Sequence, residues 1–400
     1  MVSPFIMILV ALLLAFTLSE VLKRAVGIPR VVGQVGTGIL LSIAPVRSFL
    51  FNQENLDVLS FLANLGIILL FYYVGLETNL KVFKKNIKKS LSISLANTTI
   101  PLIIGFVVMK FIFHFDTIVS LIIGVALSVS AQSITIGMLE ELKLTKSKLG
   151  GTLISAGAVD DIIELILVSI ILSFFQLTVT DIPHLRLALG LFFFIALVAV
   201  ARLWFIPYTL KFFDLEKSST ARFTGALLIV LLIASLSELF GMGYIIGAMI
   251  AGIIVRQTIF KDVQIPDWEE HDIARSIHII AFGFLIPLFF VWVGLNADIS
   301  TLGENFFFVI ILIAIAIVGT VGGTTLAVML HKGSFREGML TGWGLTPKGD
   351  IELGIATLAL TAGVITSGIF TSLVFMAIIT TLIAPLVFKY LVVTSRKKIA

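Results

Sequence analysis

The chain has 400 residues, of which 58% are hydrophobic and 13% are charged, and its mean hydropathy is +1.12. A soluble core could not bury so much apolar surface, so the composition predicts a membrane protein whose solvent is lipid. The absence of cysteine excludes disulfides and thiolate metal sites, and we expect neither a cofactor nor a nucleic-acid partner.

Apolar segments long enough to cross a hydrocarbon layer of ~30 Å recur along the whole chain and predict an all-α fold. We predict about thirteen transmembrane helices, which we call spans 1 to 13 in chain order. Their approximate ranges are 4–23, 30–47, 56–76, 88–112, 117–139, 149–175, 184–211, 219–239, 242–258, 273–296, 304–330, 336–362 and 366–392.

The distribution of basic residues predicts the topology of these spans. The loops after odd-numbered spans, together with the C-terminal tail, hold 22 of the 28 Lys and Arg residues. Basic loops are retained on the cytoplasmic side of a membrane. We therefore expect a multi-pass protein of the cell membrane, with the N-terminus outside and the C-terminus in the cytoplasm.

Two pairs of segments indicate an internal repeat. Phe71–Leu80 in span 3 matches Phe290–Ile299 in span 10, and Val31–Leu40 in span 2 matches Ile245–Ile254 in span 9. A shift of seven spans is odd, so the second copy enters the membrane in the opposite direction, as in many transporters. We predict one transporter unit over 1–400, made of repeat one at about 4–175, a linker helix at about 184–211, repeat two at about 219–392 and a cytoplasmic tail at 393–400.

Span 6 carries the most unusual charges, because Asp160 and Asp161 stand side by side near its middle and Glu164 follows one helical turn later. An ionisable group inside a membrane is expensive and is a functional candidate by default. Three acids so close cannot all remain ionised without cations. Such a site can hold either protons or a hard cation, which is the coupling rule of an antiporter.

Spans 5 and 12 contain polar interruptions at positions related by the repeat. Span 5 has Ser128–Thr135 at its middle, and span 12 has Thr341–Glu352, which includes Lys348 between Pro347 and Gly349. These residues predict two discontinuous helices whose freed backbone groups line an ion site. Lys348 could neutralise the C-terminus of the facing half-helix or a nearby acid, or it could extend to the cytoplasmic surface with Asp350 and Glu352 as local partners.

Two further groups of polar residues have no assigned role from the sequence. The side chains of Asn97, Thr98 and Thr99 in span 4 could face an ion cavity or could join helices, and the sequence does not decide between these alternatives. His271 and His278 lie among acidic residues near the cytoplasmic end of span 10. Such histidines could tune activity near neutral pH, although a solvated interfacial cluster is the simpler interpretation.

The residues Ile28 to Gly38 and the Asp160–Asp161 pair together resemble the monovalent cation:proton antiporter superfamily, in its sodium/proton branch and near the potassium-efflux antiporters. The resemblance implies a homodimer with a scaffold domain and an elevator-like core domain in which spans 5 and 12 cross. It further implies that Asp161 is the main cation and proton ligand, with Asp160 as the second carboxylate. The candidate ligands that would complete the shell are Ser130, Gln132, Ser133 and Thr135.

The segment from Gly283 to Asn296 in span 10 departs from this pattern, because it lacks the lysine that pairs with the first aspartate in related double-aspartate antiporters. Lys348 could substitute, with Glu164 sharing in the charge compensation. Exchange would be electrogenic if both aspartates release protons when one Na⁺ binds, and electroneutral if Lys348 or Glu164 fixes the charge of one of them.

The sequence therefore predicts a secondary transporter, not an enzyme, that exchanges protons for Na⁺ or Li⁺ by alternating access. A K⁺/H⁺ antiporter is the first alternative, and a sodium-coupled symporter of organic anions is the second. An intramembrane aspartyl protease is disfavoured because such enzymes place their two aspartates on different helices, whereas this pair lies on one.

Overall fold

The computed structural model describes residues 2–77, 87–179, 219–240, 243–259, 272–349 and 351–396, together with Val200 and Tyr208. Every regular element of these residues is a helix. The first eight helices are α1 (Pro4–Val26), α2 (Arg30–Leu41), α3 (Ala44–Leu50), α4 (Gln53–Glu77), α5 (Ile87–Val107), α6 (Thr117–Ser128), α7 (Gln132–Glu141) and α8 (Lys148–Val179). The other α-helices are α9 (Ser219–Leu239), α10 (Tyr244–Ile259), α11 (Asp272–Ile280), α12 (Ile286–Asn296), α13 (Leu302–Leu330), α14 (Phe335–Leu345), α15 (Ile351–Thr361) and α16 (Ser367–Arg396). Two π-helical segments, Val108–Ile112 and Ala281–Leu285, and one 3₁₀ helix, Ile299–Thr301, complete the described elements.

Seven helical stretches of the described residues are long and apolar enough to cross a membrane, with α6 and α7 counted as one stretch and α11 and α12 as another. An eighth is added if α2 and α3, which bend by 88°, count as one span. The predicted all-α membrane fold is confirmed. Predicted span 7, at 184–211, lies outside the described residues, so the total of thirteen stays a prediction. Each other predicted span coincides with one helix or with two helices joined by a short break.

Residues at the helix ends explain where several of these elements begin and stop. Pro4 opens α1, where a missing backbone N–H costs nothing, and Gly27 ends it in the left-handed conformation with φ of 74°. Ser334 caps α14, because its side chain accepts a hydrogen bond from the backbone N–H of Glu337.

The two predicted helix interruptions are present. Residues 129–131 separate α6 from α7, and residues 346–350 separate α14 from α15, although Asp350 itself lies outside the described residues. Val129 leaves the helical conformation with ψ of 140°, and Pro347 lacks the N–H that would continue α14. Both breaks therefore leave backbone groups available inside the protein.

The chain divides into two compact units. Unit 1 comprises Met1–Asp57, Leu80–Leu167 and Phe290–Ala400, and it contains both broken helices and the acidic pair of α8. Unit 2 comprises Val58–Asn79 and Val168–Phe289. The candidate ion site described below lies wholly within unit 1.

Close glycine contacts relate the two sequence repeats. In unit 1, Gly38 lies against Gly294, where an added Cβ atom on Gly38 would be 2.8 Å from the Gly294 Cα atom. In unit 2, Gly252 lies against Gly75, where an added Cβ atom would be 2.9 Å from the Gly75 Cα atom. Gly38 aligns with Gly252, and Gly294 with Gly75, so each contact is the copy of the other with the repeats exchanged. This reciprocity is what an inverted repeat produces.

We predict that Gly38→Ala destabilises the protein, whereas Gly36→Ala on the same helix does not. The new Cβ atom at residue 38 would overlap the Val291 carbonyl oxygen, whereas at residue 36 the nearest atom is Cδ2 of Leu18 at 3.7 Å. Overpacking costs ~1–3 kcal/mol, while alanine in an open helical position stabilises by ~0.5–1 kcal/mol. Thermal unfolding of both purified variants measures the difference, and equal melting temperatures would contradict the close glycine contact.

Candidate ion-binding site

Helix α8 places three acids inside unit 1. Asp160 and Glu164 are fully buried, and Asp161 is 9% exposed. The residues one turn earlier are small, with Ala156 and Gly157 leaving room for neighbouring chains to approach. The predicted acidic cluster is therefore a buried cluster in the structure, and Asp161 is its most accessible member.

Four side chains donate hydrogen bonds to the Asp160 carboxylate. The Ser94 hydroxyl lies 3.0 Å and the Thr98 hydroxyl 2.6 Å from Oδ1, and the Asn97 amide nitrogen lies 2.7 Å from Oδ2. The Ser130 hydroxyl also contacts Oδ2 closely. Asp160 is thus held between α5 and the break that follows α6.

The structure shows which polar residues of span 4 face the acidic cluster. Asn97 and Thr98 face the acidic cluster, whereas the half-buried Thr99 bonds to the Leu95 carbonyl of its own helix. Ser94 is a member of the cluster that the sequence analysis missed. The spacing of three and four residues among Ser94, Asn97 and Thr98 could have indicated one polar helix face, but not which element it meets.

Glu164 binds to the backbone of the first helix break. The N–H of Ser130 donates to Oε1 of Glu164 at 2.7 Å, so a backbone donor freed by the interruption is satisfied by a carboxylate. Glu164 also interacts electrostatically with both Asp160 and Asp161. Ser130 therefore joins two of the three acids through its hydroxyl and its backbone.

Lys348 occupies the second break and is fully buried, which excludes the interpretation that it extends to the surface. Its Nζ atom lies 3.3 Å from the Ser128 carbonyl oxygen at the C-terminus of α6. This contact places the Lys348 side-chain nitrogen at a half-helix C-terminus, which is one of the positions that the sequence analysis considered. The Lys348 charge also interacts with Glu164, Glu352 and Asp160, and Glu352 is itself buried in the first turn of α15.

The two broken helices are hydrogen bonded to each other where they are interrupted. The Ala131 N–H donates to the Pro347 carbonyl at 2.8 Å, and the Thr135 hydroxyl donates to the Gly344 carbonyl at 2.7 Å. The Thr381 hydroxyl of α16 donates to the Lys348 carbonyl. These bonds satisfy backbone carbonyls that the breaks expose, and they use the Thr135 hydroxyl in joining α7 to α14.

The other sequence candidates lie near the cluster or on its margin. The side-chain amide of Gln132 packs against Gly157, which lies one helical turn before Asp161. A Cβ atom on Gly157 would overlap this amide. Among the described residues, no hydrogen-bond donor reaches the buried side-chain oxygens of Gln132 and Asn97. Ser133 is exposed on α7. Two amide oxygens beside the acids are thus available as ligands for a hard cation.

The structure describes one of the two histidines of span 10. His278 is in unit 2, is exposed, and stacks against Phe282 with a ring-centroid distance of 4.7 Å. His271 lies outside the described residues.

The chain is similar to known proteins over nearly its whole length. Residues 8–394 match the family described as sodium/hydrogen exchanger, transmembrane. The chain belongs to this family. This exchanger is 29% identical to a Na⁺/H⁺ antiporter of Enterococcus hirae, over 96% of its own length and 97% of the relative. It is 28% identical to the Na⁺/H⁺-K⁺ antiporter GerN of Bacillus cereus, with 95% and 94% covered.

A solved structure supports the fold of this exchanger. The sodium proton antiporter MjNhaP1 of Methanocaldococcus jannaschii superimposes with a TM-score of 0.65 and 16% sequence identity, covering 96% of each chain. At this identity the likeness shows the fold alone. The resemblance to the sodium/proton branch of the superfamily is confirmed by the family match and by these relatives.

Proposed function

We propose that this exchanger moves Na⁺ in one direction and H⁺ in the other by alternating access, with Asp161 as the carboxylate that binds either ion. The observation that carries the proposal is the buried Asp160–Asp161 pair beside the hydrogen-bonded crossing of two broken helices. The name of the Enterococcus hirae relative, a Na⁺/H⁺ antiporter, supports the choice of ions.

The site would couple the two ions because they compete for the same oxygens. A dehydrated Na⁺ needs several oxygen ligands, and a proton on Asp161 removes the charge that attracts it. In our proposal Asp160 is the second carboxylate, the Ser130 hydroxyl and the Gln132 side-chain oxygen complete the shell, and the Asn97 side-chain oxygen is added to it. We propose that Ser133 binds the cation in another conformation of the protein. The Thr135 hydroxyl holds α7 against α14.

Lys348 and Glu164 would compensate charge in place of the missing lysine of span 10. The ammonium group lies at the C-terminus of α6 and interacts with three acids, so it can balance the cluster when Na⁺ leaves. We also propose an elevator-like movement, a homodimer in the cell membrane, and the predicted topology with a cytoplasmic C-terminus.

Proton flux in proteoliposomes tests the function. A pH dye trapped in the vesicles should report proton movement when NaCl or LiCl is added outside. The dye response to KCl should be smaller. K⁺/H⁺ exchange is the second candidate function, because the Bacillus cereus relative GerN is named for both Na⁺ and K⁺. A response to K⁺ alone would favour that candidate, and no response to any of the three cations would overturn the proposal.

A further inference from the structure

The first residues of α5 and the last residues of α13 lie at one end of unit 1. The two helices pack antiparallel, because Gly319 of α13 lies against Pro101 of α5, and Gly323 lies against the Ala96 carbonyl. Both helices belong to stretches that are long and apolar enough to cross a membrane. The start of α5 and the turn from α13 to α14 therefore lie at the same surface of the membrane.

Glu337, in the first turn of α14, interacts with basic residues of two other helices at this surface. The ammonium group of Lys89 in α5 donates to its Oε1 atom at 2.8 Å. Lys148, the first residue of α8, also acts on the charge of Glu337. The starts of α5, α8 and α14 are thus close enough for their charges to act together.

Three further basic residues belong to this surface, and we call Lys88, Lys332 and Arg336 the basic rim. Lys88 precedes Lys89 in sequence, Lys332 lies in the turn after α13, and Arg336 precedes Glu337 in α14. Among the described residues, no ion pair joins the basic rim to an acid. Because Lys89 already pairs with Glu337, the surface keeps a net positive charge and can attract an anion.

Exposed apolar side chains adjoin the basic rim. Met329 and Leu330, the last two residues of α13, are 49% and 72% exposed, and Phe335 beside Arg336 is 62% exposed. At a membrane surface, Lys and Arg extend their charges toward the headgroups, while apolar side chains stay against the acyl chains. A soluble anion would contact the rim alone, whereas a phospholipid would contact both groups of residues. The surface therefore fits an amphiphilic anion.

We infer that the basic rim binds the headgroup of an anionic phospholipid, whose acyl chains lie against Met329, Leu330 and Phe335. Clusters of basic residues beside a membrane helix attract anionic lipids through the negative charge of the headgroup. The bound lipid would lie at the start of α14, the helix that leads to the second break. The inference goes beyond ion exchange, and it does not depend on which ions the protein moves.

Native mass spectrometry of the purified, delipidated chain in a neutral detergent tests the inference. Phosphatidylglycerol and phosphatidylcholine with identical acyl chains are added at increasing concentrations. We expect the wild type to bind phosphatidylglycerol more tightly than phosphatidylcholine. The variant Lys332→Gln/Arg336→Gln should bind phosphatidylglycerol roughly 25-fold more weakly than the wild type, at about fivefold for each charge removed.

Lys143→Gln/Lys146→Gln is the matched control, because it removes the same charge from another exposed turn. Lys143 and Lys332 both follow the end of a helix, and both have a left-handed backbone, with φ of 55° and 60°. The apolar neighbours of Lys143 differ from those of Lys332, since Leu142 and Leu144 pack against the buried core. The control should keep the wild-type affinity for phosphatidylglycerol.

Three results would overturn the inference. Equal losses of affinity in the two double variants would show a general attraction to positive charge, and full affinity in Lys332→Gln/Arg336→Gln would show that the rim does not bind the lipid. Displacement of phosphatidylglycerol by an equal concentration of inorganic phosphate would show that the acyl chains contribute nothing. If the double variant does not fold, unchanged affinity in Lys332→Gln, compared with Lys143→Gln, would overturn the inference in the same way.

Discussion

The variant Asp161→Asn should reduce Na⁺-driven proton movement to the level of protein-free liposomes. Asparagine has nearly the same shape as aspartate, but it cannot release a proton and carries no charge to attract a dehydrated cation. Both ions would therefore lose their shared ligand. The pH-dye assay on reconstituted protein measures the loss, and it should persist at saturating Na⁺ because the missing group takes part in every cycle.

Asp116→Asn is the control for this prediction. Asp116 is exposed immediately before α6, and its side chain makes no capping hydrogen bond, so the same chemical change there should leave exchange near the wild-type rate. Undiminished exchange in Asp161→Asn would remove the acid from the proposed site. Equal loss in both variants would point to a folding defect, which size-exclusion chromatography of the purified proteins would reveal.

The helical spans could be predicted from the sequence because hydropathy and length report directly on a membrane environment. The two interruptions were also predictable, because Pro347 and the polar residues around Ser130 disturb a helix locally. Span 7 stays a prediction. The inverted repeat could be inferred from aligned glycines, but the exchange of partners, with Gly38 on Gly294 and Gly252 on Gly75, required coordinates.

Only part of the candidate site could be predicted from the sequence. Adjacent aspartates in a membrane span are conspicuous because each is costly, and Lys348 could be matched to a half-helix end. The sequence does not assign the residues that bind Asp160, because Ser, Asn and Thr are common helix-packing residues in membranes. Periodicity shows that they share a face, whereas their partner is more than 60 positions away along the chain and is fixed only by packing.

The same packing explains how a buried site can tolerate three acids. Asp160 accepts hydrogen bonds from four side chains, one oxygen of Glu164 accepts from the Ser130 N–H, and the crossing supplies one ammonium group at Lys348. Each acid therefore has a different environment although all three lie on one helix turn.

The variant Lys348→Met should strongly destabilise the protein, because methionine fills a similar volume but leaves the Ser128 carbonyl without this donor and the three interacting acids without this cation. Removing one partner from a buried charge cluster costs ~3–5 kcal/mol. Thermal unfolding in detergent, followed by intrinsic fluorescence, should show a markedly lower melting temperature than for the wild type.

Lys389→Met provides the matched comparison, since Lys389 also pairs with an acid, at 2.7 Å from Glu141, but the two side chains are 55% and 58% exposed. Solvent screens such a pair, and its loss should cost no more than ~1 kcal/mol. If the two lysine variants unfold at the same temperature, the Lys348 ammonium does not compensate the buried acids. A large loss confined to Lys348→Met would identify it as the cation that makes the acidic cluster of α8 stable inside the membrane.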